Sequence, residues 1–511
     1  MKIERSRNAI RGTLFGIVLR FVQIVFPFVI RTIFIKELGI EYLGLNSLFT
    51  SILQVLNLAE LGVSSALVFS MYRPISEDDK KKICQLMNLY RSYYRIIGFI
   101  ILFIGLLIIP FLPLLIKGDI PADINLYVLY GMHLSTTVLS YWLFAYRNSL
   151  LLAHQRNDII NIVRVLVLLV FYFLQIIVLV IFRNYYAYLS LSVLEQIGNN
   201  ILTAFVTKKV FPNYKPYGSV SKAEKEAISH QVRYLFTAKI GGVVNHSADS
   251  IVASAFLGLE LLAIYQNYYY IISAIMALFG IFFASCTAGI GNSLITQSDE
   301  KNRELFYRIN HIVFCGLALC CTVFISACQP FIEIWVGSDY KLGYSFVFLF
   351  ALYLFAEEAP RTLIVFKDAG GIWKHDRYRP LASACVNLSL NLILTPIIGL
   401  YGIIVSTIFS MLCVSFPWAI INTHRRLFKI DIMHFLRRTI LYFLAICLSC
   451  GIVYFINLHF TIRSGVIEML FRIALGAIIS LTVYMVFFFK TEENKYVIKY
   501  IKKHLKRMQQ K

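Results

Sequence analysis

Ten charged side chains lie inside long apolar runs: Arg20, Arg31, Glu60, Arg164, Glu195, Lys239, Asp249, Glu357, Glu358 and Arg361. An ionised group in hydrocarbon costs about 2.5–3.5 kcal/mol even on insertion scales, so each needs a wet cavity, an opposite charge or a substrate. Arg31 and Arg164 stand near the ends of their runs and can reach the interface along their own stems, as Arg233 can. Glu357 or Glu358 is spaced to pair with Arg361 on one helix. Arg20 and Lys239 lie deeper, roughly eight or nine residues inside. Two cations facing one cavity require carboxylates, which Glu60 and Asp249 can supply, or an anionic ligand. Phosphate or pyrophosphate fits such a pair, because arginine grips two oxygens at once. The candidate substrate contacts are therefore Arg20, Lys239, Arg31 and Arg164, with Glu60, Asp249, Glu357 and Glu358 as coupling or charge-balancing groups. Tyr268 joins the contacts from the run Tyr265-Gln266-Asn267-Tyr268-Tyr269-Tyr270. Aromatic faces beside amides are what sugar rings stack on, although an interfacial aromatic belt has the same composition.

Other chemistry is not signalled. The sequence holds no GxxxxGK[ST], HExxH or nucleophile elbow, and its histidines are scattered. No catalytic residue is expected, and without a nucleotide-binding loop the chain cannot hydrolyse ATP itself. Transport driven by an ion gradient, the membrane potential or substrate supply remains. Nine of the cysteines, Cys286 to Cys450, sit in apolar runs, and none forms a CxxC that is joined by a second ligand pair. They read as small apolar fillers, so neither metal nor cofactor is expected.

Hydropathy places these residues on elements. The chain is 58% hydrophobic and only 15% charged, which leaves too little polar surface for a soluble fold. About twenty apolar residues per span give helices near 12–35, 42–70, 94–116, 125–149, 159–182, 187–206, 230–257, 261–290, 306–330, 342–366, 380–399, 401–422, 437–457 and 466–489. The first run is too long for a cleaved signal peptide and should persist. Lys and Arg crowd every second gap, as in Arg73/Lys80/Lys81/Lys82 and Arg425/Arg426/Lys429/Arg437/Arg438. That alternation predicts a bacterial plasma-membrane protein with both termini in the cytoplasm. It also accounts for a net charge of +21 through anionic headgroups, without nucleic acid.

The expected fold class is an all-α integral membrane protein with about fourteen transmembrane helices. Two pseudo-symmetric six-helix bundles, 1–206 and 229–424, flank a flexible cytoplasmic linker at 207–228. Two extra helices occupy 425–489, and a basic amphipathic tail occupies 490–511. Leu38-Gly39-Ile40-Glu41 can be laid on Leu257-Gly258-Leu259-Glu260 as an internal repeat, and that register sets Arg20 opposite Lys239. In the tail, Val497, Ile501, Leu505 and Met508 recur at helical spacing, as in a helix lying on headgroups.

Thr32–Pro74, Gln329–Tyr340 and Asn387–Ser410 carry a family resemblance. The last pairs an Asn-rich helix with a Pro, a Gly-Leu-x-Gly turn and a Ser/Thr-bearing helix. In order and spacing the chain resembles the polysaccharide transporters, Wzx-type oligosaccharide flippases of the MOP superfamily that also holds MATE exporters and MurJ. The resemblance implies two bundles alternating access around a central cavity. Its implied substrate is undecaprenyl-pyrophosphate-linked oligosaccharide, moved to the outer leaflet for capsule, exopolysaccharide or O-antigen assembly. It implies membrane lipids and polysaccharide polymerase machinery as partners, and a groove for the lipid tail at the two extra helices. Arg20 matches the family's use of basic residues in the first helix. The alternatives are a MATE-type drug/cation antiporter, a lipid II flippase and, least favoured by the short outer loops, a membrane glycosyltransferase.

Overall fold

The computed structural model describes residues 5–60, 62–118, 120–372, 375–427, 431–459 and 465–499. The helices are α1 (Arg5–Glu37), α2 (Ile40–Leu56), α3 (Val63–Ser76), α4 (Lys80–Ile108), α5 (Leu126–Trp142), α6 (Ala145–Ala153), α7 (Asn157–Phe182), α8 (Tyr185–Val210) and α9 (Lys222–Leu257). They continue as α10 (Leu259–Thr296), α11 (Asp299–Trp335), α12 (Tyr344–Glu358), α13 (Arg361–Ala369), α14 (Arg379–Ile398), α15 (Leu400–Ser410), α16 (Phe416–Arg426), α17 (Ile432–His459) and α18 (Gly465–Phe488). No strand occurs among the described residues. Ten stretches of them are long and apolar enough to cross a membrane. Large apolar side chains such as Phe103, Ile181, Ile397 and Val486 point outward, as they do where the solvent is lipid. The protein is an all-α, multi-pass membrane protein.

These helices fall on the fourteen expected spans, four of which are broken. The chain interrupts α2/α3 with a short 3-10 turn (Asn57–Glu60), α5/α6 at Leu143-Phe144, α12/α13 at Ala359-Pro360, and α15/α16 with a π-helical turn (Met411–Ser415). Pro360 has no N–H to donate and its ring blocks the preceding turn, which explains the third break. The second has neither Pro nor Gly. It places Phe144 in the left-handed region, φ 58°.

Contacts divide the chain into two compact units, Met1–Ala263 and Ile264–Lys511. In the first, α9 packs against α2 and α3, so contact density groups it with the helices before the linker. Helix α1 lies along α7: Gly12 and Gly16 admit Asn157 and Asn161, and Asn161 Nδ2 donates to the Gly12 carbonyl at 3.0 Å. Val22, Val165 and Leu168 form a buried cluster on the same seam. The repeat has a backbone counterpart. Gly39, between α1 and α2, has φ 116°, ψ 165°, and Gly258, between α9 and α10, has φ 97°, ψ 174°. Only glycine adopts that conformation without strain.

The linker does not swing free. Its backbone is held by Asn88 Nδ2 on the Gly218 carbonyl (2.8 Å) and by Arg147 on the Tyr214 carbonyl (3.4 Å). Phe211 and Tyr214 pack on the His154 ring. A capping box of Ser221 and Glu224 starts α9. Lys82 pairs with Glu224, and this bond and the one from Ser221 hold its carboxyl below the usual range.

In the second unit α11 forms the centre, with α18 laid close along it. A Cβ at Gly476 would come within 3.2–3.4 Å of Ser326, Val323 and Thr322. The described part of the tail packs against α11 and α17. Residues 492–499 are helical, Glu493 pairs with Arg438 of α17, and Tyr496 lies 3.7 Å beneath the Arg308 guanidinium of α11. Burial works against the Glu493 carboxylate, yet Arg438 and a backbone hydrogen bond leave its pKa lowered. Ile501, Leu505 and Met508 lie outside the described residues.

A helix–helix contact gives a direct test. A Cβ on Gly402 would meet the Leu394 and Thr395 backbone at 2.6 Å, whereas one on Gly280 meets nothing within 4 Å. Gly402→Ala should destabilise the protein by about 1–3 kcal/mol through overpacking, and Gly280→Ala should not. Thermal unfolding of the two purified variants in detergent reads the difference.

Candidate functional site

In the first unit the break between α5 and α6 opens a pocket of about 330 Å3. A helix end inside apolar surroundings leaves carbonyls without partners. Asn200 of α8 supplies one, donating to the Ser140 carbonyl at 3.1 Å and accepting from Gln196 at 3.2 Å. Leu19 of α1, Ser64 of α3, Tyr90 and Tyr94 of α4, and Phe144 and Asn148 at the break complete much of the wall. Arg164 of α7 also lines it, paired at 2.7 Å with Glu195 of α8. A carboxylate on the neighbouring helix thus holds Arg164.

Glu60 lies one side chain behind this wall. The Tyr94 hydroxyl donates to it at 2.7 Å, and Tyr90 is within 2.9 Å of both Tyr94 and Ser64. The rings of Tyr90 and Tyr94 stack at 4.4 Å. Nearby, Tyr141 donates to Asn57 at 3.0 Å. Arg20 is exposed on α1, next to the pocket-lining Leu19, and makes no hydrogen bond or ion pair among the described residues. Arg31 is half-buried. Helical spacing puts the two arginines on one face of α1, three turns or about 16 Å apart. Asp249 is buried on α9. Lys239 belongs to α9, but its side chain lies outside the described residues.

The second unit contains a different cavity. Ile271 and Ile275 of α10, Leu319, Val323 and Phe331 of α11, and Met469, Ile473 and Ala477 of α18 line a groove of about 390 Å3. Its wall is alkyl, aromatic and thiol throughout, with Cys320 and Cys328 among the fillers. At its α18 edge Glu468 pairs with Arg472 at 2.5 Å, and Arg472 is only 6% exposed. The Ser326 hydroxyl donates to the Arg472 carbonyl at 2.8 Å. This buried pair is absent from the sequence-based candidates, although its i,i+4 spacing inside an apolar run is visible there.

Tyr268 is misjudged by sequence. Its ring is completely buried and stacks on Phe350 at 5.6 Å, while its hydroxyl accepts from the Leu342 N–H at 2.8 Å. It braces the loop after α11 and leaves no face for a sugar in this conformation. Glu357 and Arg361 come within 3.8 Å across the α12/α13 break. Glu358 is 0% exposed, and neither carboxyl oxygen has a hydrogen-bond partner among the described residues. Further on, Asn387, Asn391 and Thr407 meet between α14 and α15, with Thr407 donating to Asn387 at 3.3 Å.

The comparisons can now be set against this geometry. A structure of the lipid II flippase MurJ in an inward closed conformation matches with TM-score 0.65 and 15% identity, over 94% of this chain and 99% of that one. An inward-facing multidrug resistance MATE transporter of the MOP superfamily gives 0.60 and 14%, over 80% and 98%. This is the fold of MOP-superfamily transporters. The eukaryotic MATE transporter AtDTX14 shares it at 0.57 and 13% identity, over 85% of this chain and 99% of that one. No family model matches the sequence, and no curated protein does.

The Arg164–Glu195 pair sets a stability test. Removing the arginine strands a buried carboxylate, which costs more than neutralising the acid. Arg164→Ala should lower the unfolding temperature more than Glu195→Gln. The double variant should fall short of the sum by about 0.5–3 kcal/mol, as a double-mutant cycle would measure.

Proposed function

We propose that the protein is a flippase for polyprenyl-pyrophosphate-linked oligosaccharide, moving it from the cytoplasmic to the outer leaflet of a bacterial plasma membrane by alternating access. The basic gaps and both termini face the cytoplasm, in keeping with the bias of Lys and Arg. The observation that carries the reading is the groove in the second unit. A chain of isoprene units gains nothing from polar walls, and this groove has none. One of its walls is α18, one of the two helices beyond a twelve-span core. The MurJ structure, whose own substrate is lipid II, matches 94% of this chain against 80–85% for the MATE structures. A drug/cation antiporter would have no use for the groove. The charged head requires cations, and Arg20 stands exposed in the first span with no ion pair among the described residues. Arg31 continues the same face, and Lys239 is the proposed counterpart by repeat.

Glu358 is the proposed coupling group. Its carboxyl is fully buried and neither oxygen has a hydrogen-bond partner among the described residues, so that a charge there is costly and a change of conformation or partner would alter that cost. In the second unit Glu357 is the proposed counter-charge of Arg361, and in the first unit Glu60 and Asp249 are the proposed charge-balancing groups.

Proteoliposomes loaded with a defined lipid-linked oligosaccharide test the reading. Arg20→Glu should abolish flipping while insertion and thermal stability persist, and Ala477→Trp should cut it at least tenfold by filling the groove. Full transport by both variants would refute it. Flipping of lipid II in preference to the oligosaccharide would reassign the substrate. Glu358→Gln should fold normally and flip at a rate that no longer responds to an imposed proton gradient. A response equal to that of the parent protein would remove Glu358 from coupling.

A further inference from the structure

We infer that the pocket at the α5/α6 break is a sugar subsite, shaped for one pyranose ring of the transported head. The inference rests on the flippase reading and adds a place where the glycan is recognised. The volume, about 330 Å3, suits a single ring with its substituents rather than a whole repeat unit.

The wall decides the ligand class. It presents the phenols of Tyr90 and Tyr94, the carboxamides of Asn148, Gln196, Asn199 and Asn200, and the hydroxyls of Ser64, Ser140 and Thr203. These groups both donate and accept, as a ring of hydroxyls requires. No carboxylate lines the pocket, so an organic cation finds no counter-charge. Its single cation, Arg164, is already matched by Glu195, so the pocket does not compete with an open cationic face for pyrophosphate. An apolar chain would leave the carboxamides of Asn148 and Asn199 unsatisfied, at about 1–3 kcal/mol apiece. A neutral or N-acetylated sugar satisfies them.

The side chains divide into those already committed and those that are free. Gln196, Asn200 and the Ser140 carbonyl are bonded to one another, and Tyr90 is bonded to Ser64 and Tyr94. Asn148 and Asn199 form no hydrogen bond among the described residues, and Asn148 Oδ1 is a buried acceptor without a donor. A preorganised wall with two uncommitted carboxamides is a recognition surface. Phe144, held at φ 58° and half exposed, adds an aromatic face for the C–H side of the ring.

Saturation-transfer NMR on the full chain in nanodiscs tests the inference. The probes are glucose, N-acetylglucosamine and glucuronic acid, with inorganic pyrophosphate, read by its 31P line width, as control. At least one sugar should bind, and Asn148→Ala and Asn199→Ala, measured separately, should each weaken it about tenfold without changing the pyrophosphate signal. The inference is overturned if none of the sugars binds the parent protein, or if binding survives in both folded variants. Oligosaccharide flipping without sugar binding would sink the subsite and leave the flippase reading standing. Sugar binding that depends on both asparagines, in a protein that flips no lipid-linked oligosaccharide, would do the reverse.

Discussion

Hydrocarbon offers no hydrogen bonds, so every backbone N–H and C=O within the membrane must find its partner inside the protein. That constraint makes helix the only regular structure among the described residues, and it makes each interruption of a helix an event requiring compensation. The α5/α6 break shows the solution. Asn200 reaches from α8 to the Ser140 carbonyl, and the side chains needed to stabilise a broken helix bring polar groups into the bundle. The polar pocket follows from the break. At α12/α13 the same constraint places Glu358 beside Pro360, where the carbonyls of a terminating helix and a buried acid share one region.

The cations obey a related rule. Arg164, Arg361, Arg438 and Arg472 each have a carboxylate within 4 Å, on the same helix or another element. Arg183 and Glu37 do the same across the ends of α7 and α1, at 2.9 Å. Lys367 of α13 and Arg379 at the start of α14 both pair with the buried Asp376 of the loop between them. Arg20 of α1 departs from this rule: exposed, it makes no ion pair among the described residues, and Arg95 of α4 does likewise.

The spans were legible because hydropathy depends on composition alone: about twenty apolar residues can do little except cross. The glycine turns were legible for a related reason, since Leu-Gly-x-Glu needs a residue free of a Cβ at one position, and both copies adopt it. The α5/α6 break was not legible. Trp142-Leu143-Phe144-Ala145 contains no breaker, and its stabilising partner is Asn200, far along the chain. Arg164 and Glu195 were each marked as costly, but their pairing is a fact about packing between α7 and α8. Tyr268 was read from composition as a sugar contact, whereas the Leu342 amide, remote in sequence, fixes its role as a brace.

The bent geometry of α5 and α6 has a thermodynamic corollary. The pocket lies at the kink, where Asn200 and not a helical N–H bonds the Ser140 carbonyl. An occupant that binds the bent segment better than a straight one would favour the bend. By linkage, occupancy and bending favour each other to the same extent. A sugar ring held there, as proposed, would act as a wedge whose presence is registered in the curvature of a helix.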